Sequence, residues 1–124
     1  MLPLLLGLVA QGVLKLERVV ALVCEHPAQL FGLAPRKGFL RPGADGDVTL
    51  VDSQALMVPN AKQMVGSAGW TPYQGRRLRG RVMRTIVRGT TVALDGRMVG
   101  APGFGRFVRR AGSPVDLPRM VAHG

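Results

Sequence analysis

The stretch from His26 to Asp52, HPAQLFGLAPRKGFLRPGADGDVTLVD, joins two different periodicities. Ahead of it, apolar residues recur at helical spacing, and behind it they alternate as in strands. The stretch itself reads as a short helix, a glycine stop, a basic turn and a strand closing on Asp52. A helical lead feeding a strand-rich remainder predicts an α+β fold, with two or three helices and then roughly four to six strands. At 124 residues the chain is one domain or part of one.

Residues 1–14, MLPLLLGLVAQGVL, are apolar and uncharged. Ala10-Gln11-Gly12 resembles a signal cleavage site, but no Lys or Arg precedes the apolar run, as a secretory signal requires. The run is also shorter than the roughly 20 residues that span a bilayer. A buried helix is the expectation, in a chain that looks cut from a larger protein, with no membrane partner. In residues 16–25, Leu16, Val19, Val20 and Val23 form one apolar stripe, and Glu17 sits early, where the helix dipole favours an acid. Pro27 disfavours helix at His26, so this helix should end there. Pro27 then opens a second helix, PAQLFGL, with His26 as its cap and Gly32 as a left-handed stop. Ala28, Leu30, Phe31 and Leu33 should supply its apolar contacts. The single cysteine, Cys24, excludes an internal disulfide, suits a reducing, cytoplasmic compartment, and falls in the apolar pattern as a buried, inert thiol.

Downstream, Arg36-Lys37-Gly38 and Pro42-Gly43 are turns, and Asp47–Asp52 is a strand with Val48 and Leu50 on one face. Residues 53–70 give no regular pattern. Trp70–Gly75 is a turn, Gly80–Gly89 is a strand, and Asp95-Gly96 between Thr90–Leu94 and Arg97–Val99 is a hairpin signal. Residues 113–124 read as a flexible tail.

Net charge is +10, with ten Arg and one acid, Asp95, between Arg76 and Arg110. A nucleic-acid footprint is weighed against an arginine-rich solvated face. Only Phe104 and Phe107 offer stacking surfaces in that window, which favours the solvated face.

The catalytic inventory is thin. His26 and His123 are the only histidines, and no HxH, HExxH or CxxC spacing occurs. Asp45 and Asp47 flank Gly46, but two carboxylates without further ligands make a poor metal site. They read as turn and strand-entry acids. The glycine-rich Gly100–Gly105 follows no strand-to-helix pattern, so it is not read as a phosphate loop. No self-contained catalytic or metal site is expected in this chain.

Several motifs do resemble a known family. Leu2–Leu6, then His26-Pro27-Ala28 with Phe31-Gly32, are followed by Lys37-Gly38 and by Gly43-Ala44-Asp45-Gly46-Asp47 with Asp52. Together they are similar to the cyclic amidohydrolases, with His26 in place of the usual Asn and Gly46 in place of Ala. Thr71-Pro72, Gly75, Gly89, Asp95-Gly96 and Pro102-Gly103 follow in the order seen at the end of dihydroorotases. They look closest to the dihydroorotase segment of multifunctional pyrimidine-synthesis proteins. Allantoinases and hydantoinases share the first set of features.

The resemblance implies a TIM-type barrel beside a β-sandwich, and zinc-dependent interconversion of N-carbamoyl-aspartate and dihydroorotate. It implies no ligand here, because the family's metal-binding residues belong ahead of Leu2 and Lys37 matches a structural turn. On this reading, residues 1–35 are terminal barrel helices and 36–112 a partial sandwich. The chain is then architectural and inactive alone. It awaits the missing barrel and sandwich strands or a homologous subunit, with open strand edges able to self-associate. A truncated gene product, a non-catalytic dihydroorotase-like subunit, an allantoinase or hydantoinase relative and a basic nucleic-acid binder are the alternatives.

Overall fold

The computed structural model describes residues 1–63 and 66–110. Helix α1 spans Leu2–Ala10, with Pro3 in its first turn, where a missing N–H costs nothing. Its Leu6 is 2% exposed and, with Val19 and Ala28, is among the buried apolar side chains of the described residues.

A second helical run, itself unbroken, follows after a turn at residues 11–15. It comprises α2 (Leu16–Val20), a π turn (Ala21–Glu25) and α3 (His26–Leu30). The expected end at His26 is therefore corrected: His26 is helical at φ −61°, ψ −43°, and caps nothing. A proline ring crowds the carbonyl four residues earlier, here Val23. The π turn directly ahead of Pro27 widens the helix, which is how a chain passes a proline without stopping. Gly32, at φ 65°, does end the run. Leu33 N–H donates to Ala28 O at 2.7 Å and Gly32 N–H to Gln29 O at 3.1 Å, closing a Schellman motif.

Burial along this run departs from the stripe. Val19 is buried, but Val20 and Leu16 are exposed, and Leu30 and Phe31 are 79% and 64% exposed. Cys24 is exposed as well, so the expected buried thiol is also corrected. The π turn rotates the residues after Val20 out of uninterrupted 3.6-residue register, which turns Cys24 away from the buried side; the exposure of Leu16 and Val20, ahead of that turn, has no such cause.

Four strands form one antiparallel meander in the order β1-β2-β3-β4. They are β1 (Val48–Met57), β2 (Leu78–Val87), β3 (Thr90–Leu94) and β4 (Arg97–Met98). Strand β1 runs five residues beyond the expected end at Asp52, and a 3₁₀ turn occupies Ala61–Gln63, in a region expected to be irregular. The extension is bulged: Asp52 pairs with Arg81 and Leu56 with Arg79, so residues 53–55 face Gly80 alone. The Asp52 carboxylate accepts the N–H groups of Gln54 (2.8 Å) and Ala55 (3.0 Å) and sets that bend.

Gly80 is where α1 meets the sheet. A Cβ at this position would stand 2.4 Å from the Leu6 Cβ, and φ is +103°. The β2–β3 turn is Arg88-Gly89 and the β3–β4 turn is Asp95-Gly96, each with both residues at positive φ. This is the twist-matched hairpin form, and Asp95-Gly96 was legible as such. The described strands number four, within the expected range.

Candidate functional site

The one dense polar cluster among the described residues gathers Lys37, Asp45, Asp47 and Arg88. Pro42-Gly43 reverses the chain between Lys37 and the two acids, with Gly43 at φ 87° and Ala44 N–H donating to Arg41 O at 3.1 Å. That turn lays Asp45 back on the Arg36–Lys37 segment, where its own N–H reaches Arg36 O at 2.9 Å. The Lys37 ammonium then lies 2.8 Å from Asp45 Oδ2 and also donates to Asp47 Oδ2. Arg36 Nε donates to both oxygens of Asp45, at 3.1 and 3.0 Å. The second oxygen of Asp47, Oδ1, accepts the backbone N–H of Arg88 at 2.8 Å. Gly89 N–H donates to Gly46 O at 2.9 Å alongside.

Electrostatics follow this geometry. Burial works to lower the Lys37 ammonium, but hydrogen bonds to Asp45 and Asp47 and their charges outweigh it and hold it above the ordinary lysine range. The hydrogen bond from Lys37, helped by Arg36, holds Asp45 below the ordinary carboxylate range. For Asp47, burial pushes upward, but the Lys37 hydrogen bond and the Arg88 N–H overcome it and keep the carboxyl low. All three groups are charged near neutral pH and mutually satisfied. Nothing in this arrangement is poised to move a proton.

A zinc ion does not fit here. Both carboxylates are already engaged by one ammonium, and among the described residues no three His, Cys, Asp or Glu side chains come together as ligands. His26 stands on the helical run, and His123 lies outside the described residues.

The other motif positions serve the backbone. Ala28 is buried against Gly38, where a Cβ would come 2.6 Å from the Ala28 Cβ and 2.7 Å from Cys24 O. Lys37-Gly38 thus packs its glycine under the helical run and aims its lysine at the sheet. Pro27 lies inside that run, while Phe31, expected to pack, lies exposed at its end. Thr71 is buried and its Oγ1 accepts the N–H of Tyr73 at 3.3 Å, with Pro72 between them and Gly75 at φ 74° closing the loop. Gln74 Oε1 ties this loop to Ala61 N–H at 2.9 Å. Asp52, Thr71 and Gly75 are therefore not part of the Lys37 cluster.

Sequence reasoning missed the parts played by Arg88 and Gly80. Arg88 takes φ 47° and lays its guanidinium over the Phe104 ring, 4.4 Å from the centroid. The signal for Arg88 was the following Gly89, which marks a turn position. For Gly80 the only signal was a glycine in an otherwise regular strand.

Comparison with known proteins accords with this geometry. The amidohydrolase family model matches residues 1–92. D-phenylhydantoinase of Escherichia coli O1:K1 / APEC is 41% identical over 102 residues, covering 82% of this chain and 22% of that protein. The structure of L-hydantoinase (dihydropyrimidinase) from Arthrobacter aurescens superposes with a TM-score of 0.84 at 40% identity, covering 88% of this chain and 24% of that one. The inactive dihydroorotase-like domain of the Chaetomium thermophilum CAD-like multifunctional protein superposes with a TM-score of 0.62 at 25% identity, covering 82% and 26%.

The hydantoinases thus stand nearer than that dihydroorotase-like domain, which corrects the likeness read from the second half of the sequence. The reason lies in what those motifs do. Gly75, Gly89, Gly96 and Gly103 all sit at positive φ, so they report turns of the shared fold and not a substrate. The chain spans about a quarter of the length of these relatives. Among the described residues, no helix is long and apolar enough to cross a membrane. With helices leading into an antiparallel sheet, and with a family model and close relatives matching along most of its length, this chain belongs to the amidohydrolase family.

Proposed function

We propose that this chain is the architectural C-terminal share of a cyclic-amide hydrolase of the hydantoinase and dihydropyrimidinase type. On this reading, the helices of residues 1–35 close the barrel of the whole enzyme and the four strands belong to its sandwich. The observation that carries the proposal is the 40% identity and TM-score of 0.84 to L-hydantoinase over 88% of the chain. The Lys37 cluster supports an architectural role, because its charged groups pair with one another across the 36–47 segment and Asp47 ties that segment to the β2–β3 turn. The zinc of such an enzyme would be held outside the described residues. The partners are then the barrel and remaining sandwich strands, or a homologous subunit, in the cytoplasm. The sheet order, with β1 at its border, also supports self-association through that edge.

A second reading keeps dihydroorotate as the parent substrate, or a non-catalytic dihydroorotase-like subunit as the role. The likeness to an inactive dihydroorotase-like domain favours it.

One experiment tests both. The purified chain is assayed with zinc and either a hydantoin or dihydroorotate, alone and mixed with a hydantoinase lacking its last quarter. The chain alone should give no turnover above a no-protein control. Restored hydantoin opening in the mixture supports the first reading, and restored dihydroorotate opening in a parallel mixture with a dihydroorotase lacking its last quarter, without rescue of the hydantoinase, supports the second. Turnover by the chain alone would overturn the architectural role.

A further inference from the structure

A groove of about 570 Å³ lies between α1 and the start of β2. Leu4 and Leu8 of α1, Leu56 of β1 and Leu78 of β2 line it. Arg76, Arg77 and Arg79 line the same groove, and no acid does. All three arginines are exposed. Arg79 donates to Gln54 Oε1 at 3.4 Å, and neither Arg76 nor Arg77 has an ion-pair partner among the described residues.

Three guanidiniums within four positions repel one another, and an acidic partner relieves that repulsion. The leucines call for apolar side chains in the same occupant. A nucleic-acid strand meets the charge but not the leucines, and no aromatic side chain lines the groove to stack on a base. A bilayer surface meets the charge but cannot follow a concave groove. A stretch of polypeptide with carboxylates beside leucine-sized side chains satisfies both demands. We propose that this groove docks an acidic amphipathic segment of a partner protein. The inference is independent of which ring the parent enzyme opens.

The test uses the full chain and a short fluorescein-labelled peptide of alternating leucine and glutamate, read by anisotropy. Binding should appear, and should weaken as salt rises. The double variant Arg76→Glu/Arg77→Glu should lose about tenfold or more in affinity, as close charge pairs do when reversed. The variant Arg97→Glu/Arg106→Glu makes the same change in net charge at exposed positions outside the groove, and should bind as the parent does. Leu56→Ser, at a position already 60% exposed, tests the apolar part and should also weaken binding. Peptides with lysine for glutamate or serine for leucine should not bind. Equal loss in both double variants, or displacement of the peptide by phosphatidylglycerol vesicles or by single-stranded DNA, would overturn the proposal.

Discussion

The carboxylate of Asp47 accepts the backbone N–H of Arg88, 41 positions further along the chain, at 2.8 Å. Arg88 is held at φ 47°, a conformation that costs an L-residue roughly 1–2 kcal/mol. A hydrogen bond to a charged acceptor contributes about 1.5–3 kcal/mol, enough to offset that cost. Asp47→Ala should therefore lower stability by about 2–3 kcal/mol. Asp47→Asn keeps an acceptor for the amide, loses only the Lys37 pairing, and should cost less. Urea denaturation of the two variants measures the difference, and equal losses would mean that the Arg88 amide is not the important partner.

The same cluster sets a pH dependence. Asp45 and Asp47 titrate below their ordinary values in the folded chain. Their contribution is thus complete above about pH 3.9 and is lost as pH falls through the lowered values. Lys37 is raised, so its contribution is complete below about pH 10.4 and is lost as pH rises through the raised value. Urea midpoints across pH should show a plateau bounded on both sides. An Asp45→Asn/Asp47→Asn variant should have a shallower acid limb, and an acid limb identical to the parent's would count against the assignment.

Close approach of backbone and side chain predicts a ranking among glycines. Gly80→Ala meets Leu6, and Gly38→Ala meets Ala28 and Cys24, each nearer than 3 Å and each at positive φ. Gly89→Ala is strained at φ 76° but meets open space. The first two should lose more than about 3 kcal/mol, and Gly89→Ala about 1 kcal/mol. In Gly80→Ala, α1 should also become the first site of protease cleavage, because its seat on β2 is gone. Similar losses at all three sites would refute the packing argument.

The exposed apolar face of the helical run gives a further prediction. Leu30 and Phe31 line a shallow groove with Leu22 and Pro27. The chain in isolation should bind an apolar dye such as anilinonaphthalene sulfonate. Leu30→Ser/Phe31→Ser should remove most of that signal while leaving the free energy of unfolding in urea within about 0.5 kcal/mol of the parent's.

Much of the fold was legible where geometry is local. Gly32 and Asp95-Gly96 carry their own backbone requirements, and both stand where the sequence indicated. The misses are non-local or depend on a compensation. Pro27 ends most helices, and only a π turn ahead of it lets this one continue. Asp52 looked like the end of a strand because its bulge hides the continuation to Met57. In the cluster, Lys37, Asp45 and Asp47 were visible as a motif, but their mutual contact depends on the Pro42-Gly43 reversal. Asp47 has a further partner in the backbone amide of Arg88, which no pattern of side chains announces.

The meander has unequal borders. Its β1 border offers ten residues, and its β4 border two. Head-to-tail stacking of one copy on the next would need both borders to match, and the shorter one offers too little to hold on to. Two copies meeting β1 against β1 would instead pair along the unbulged part of the longer border and leave only the stubs outside. Any growth by strand pairing should thus stop at a closed twofold pair and not run on into a filament.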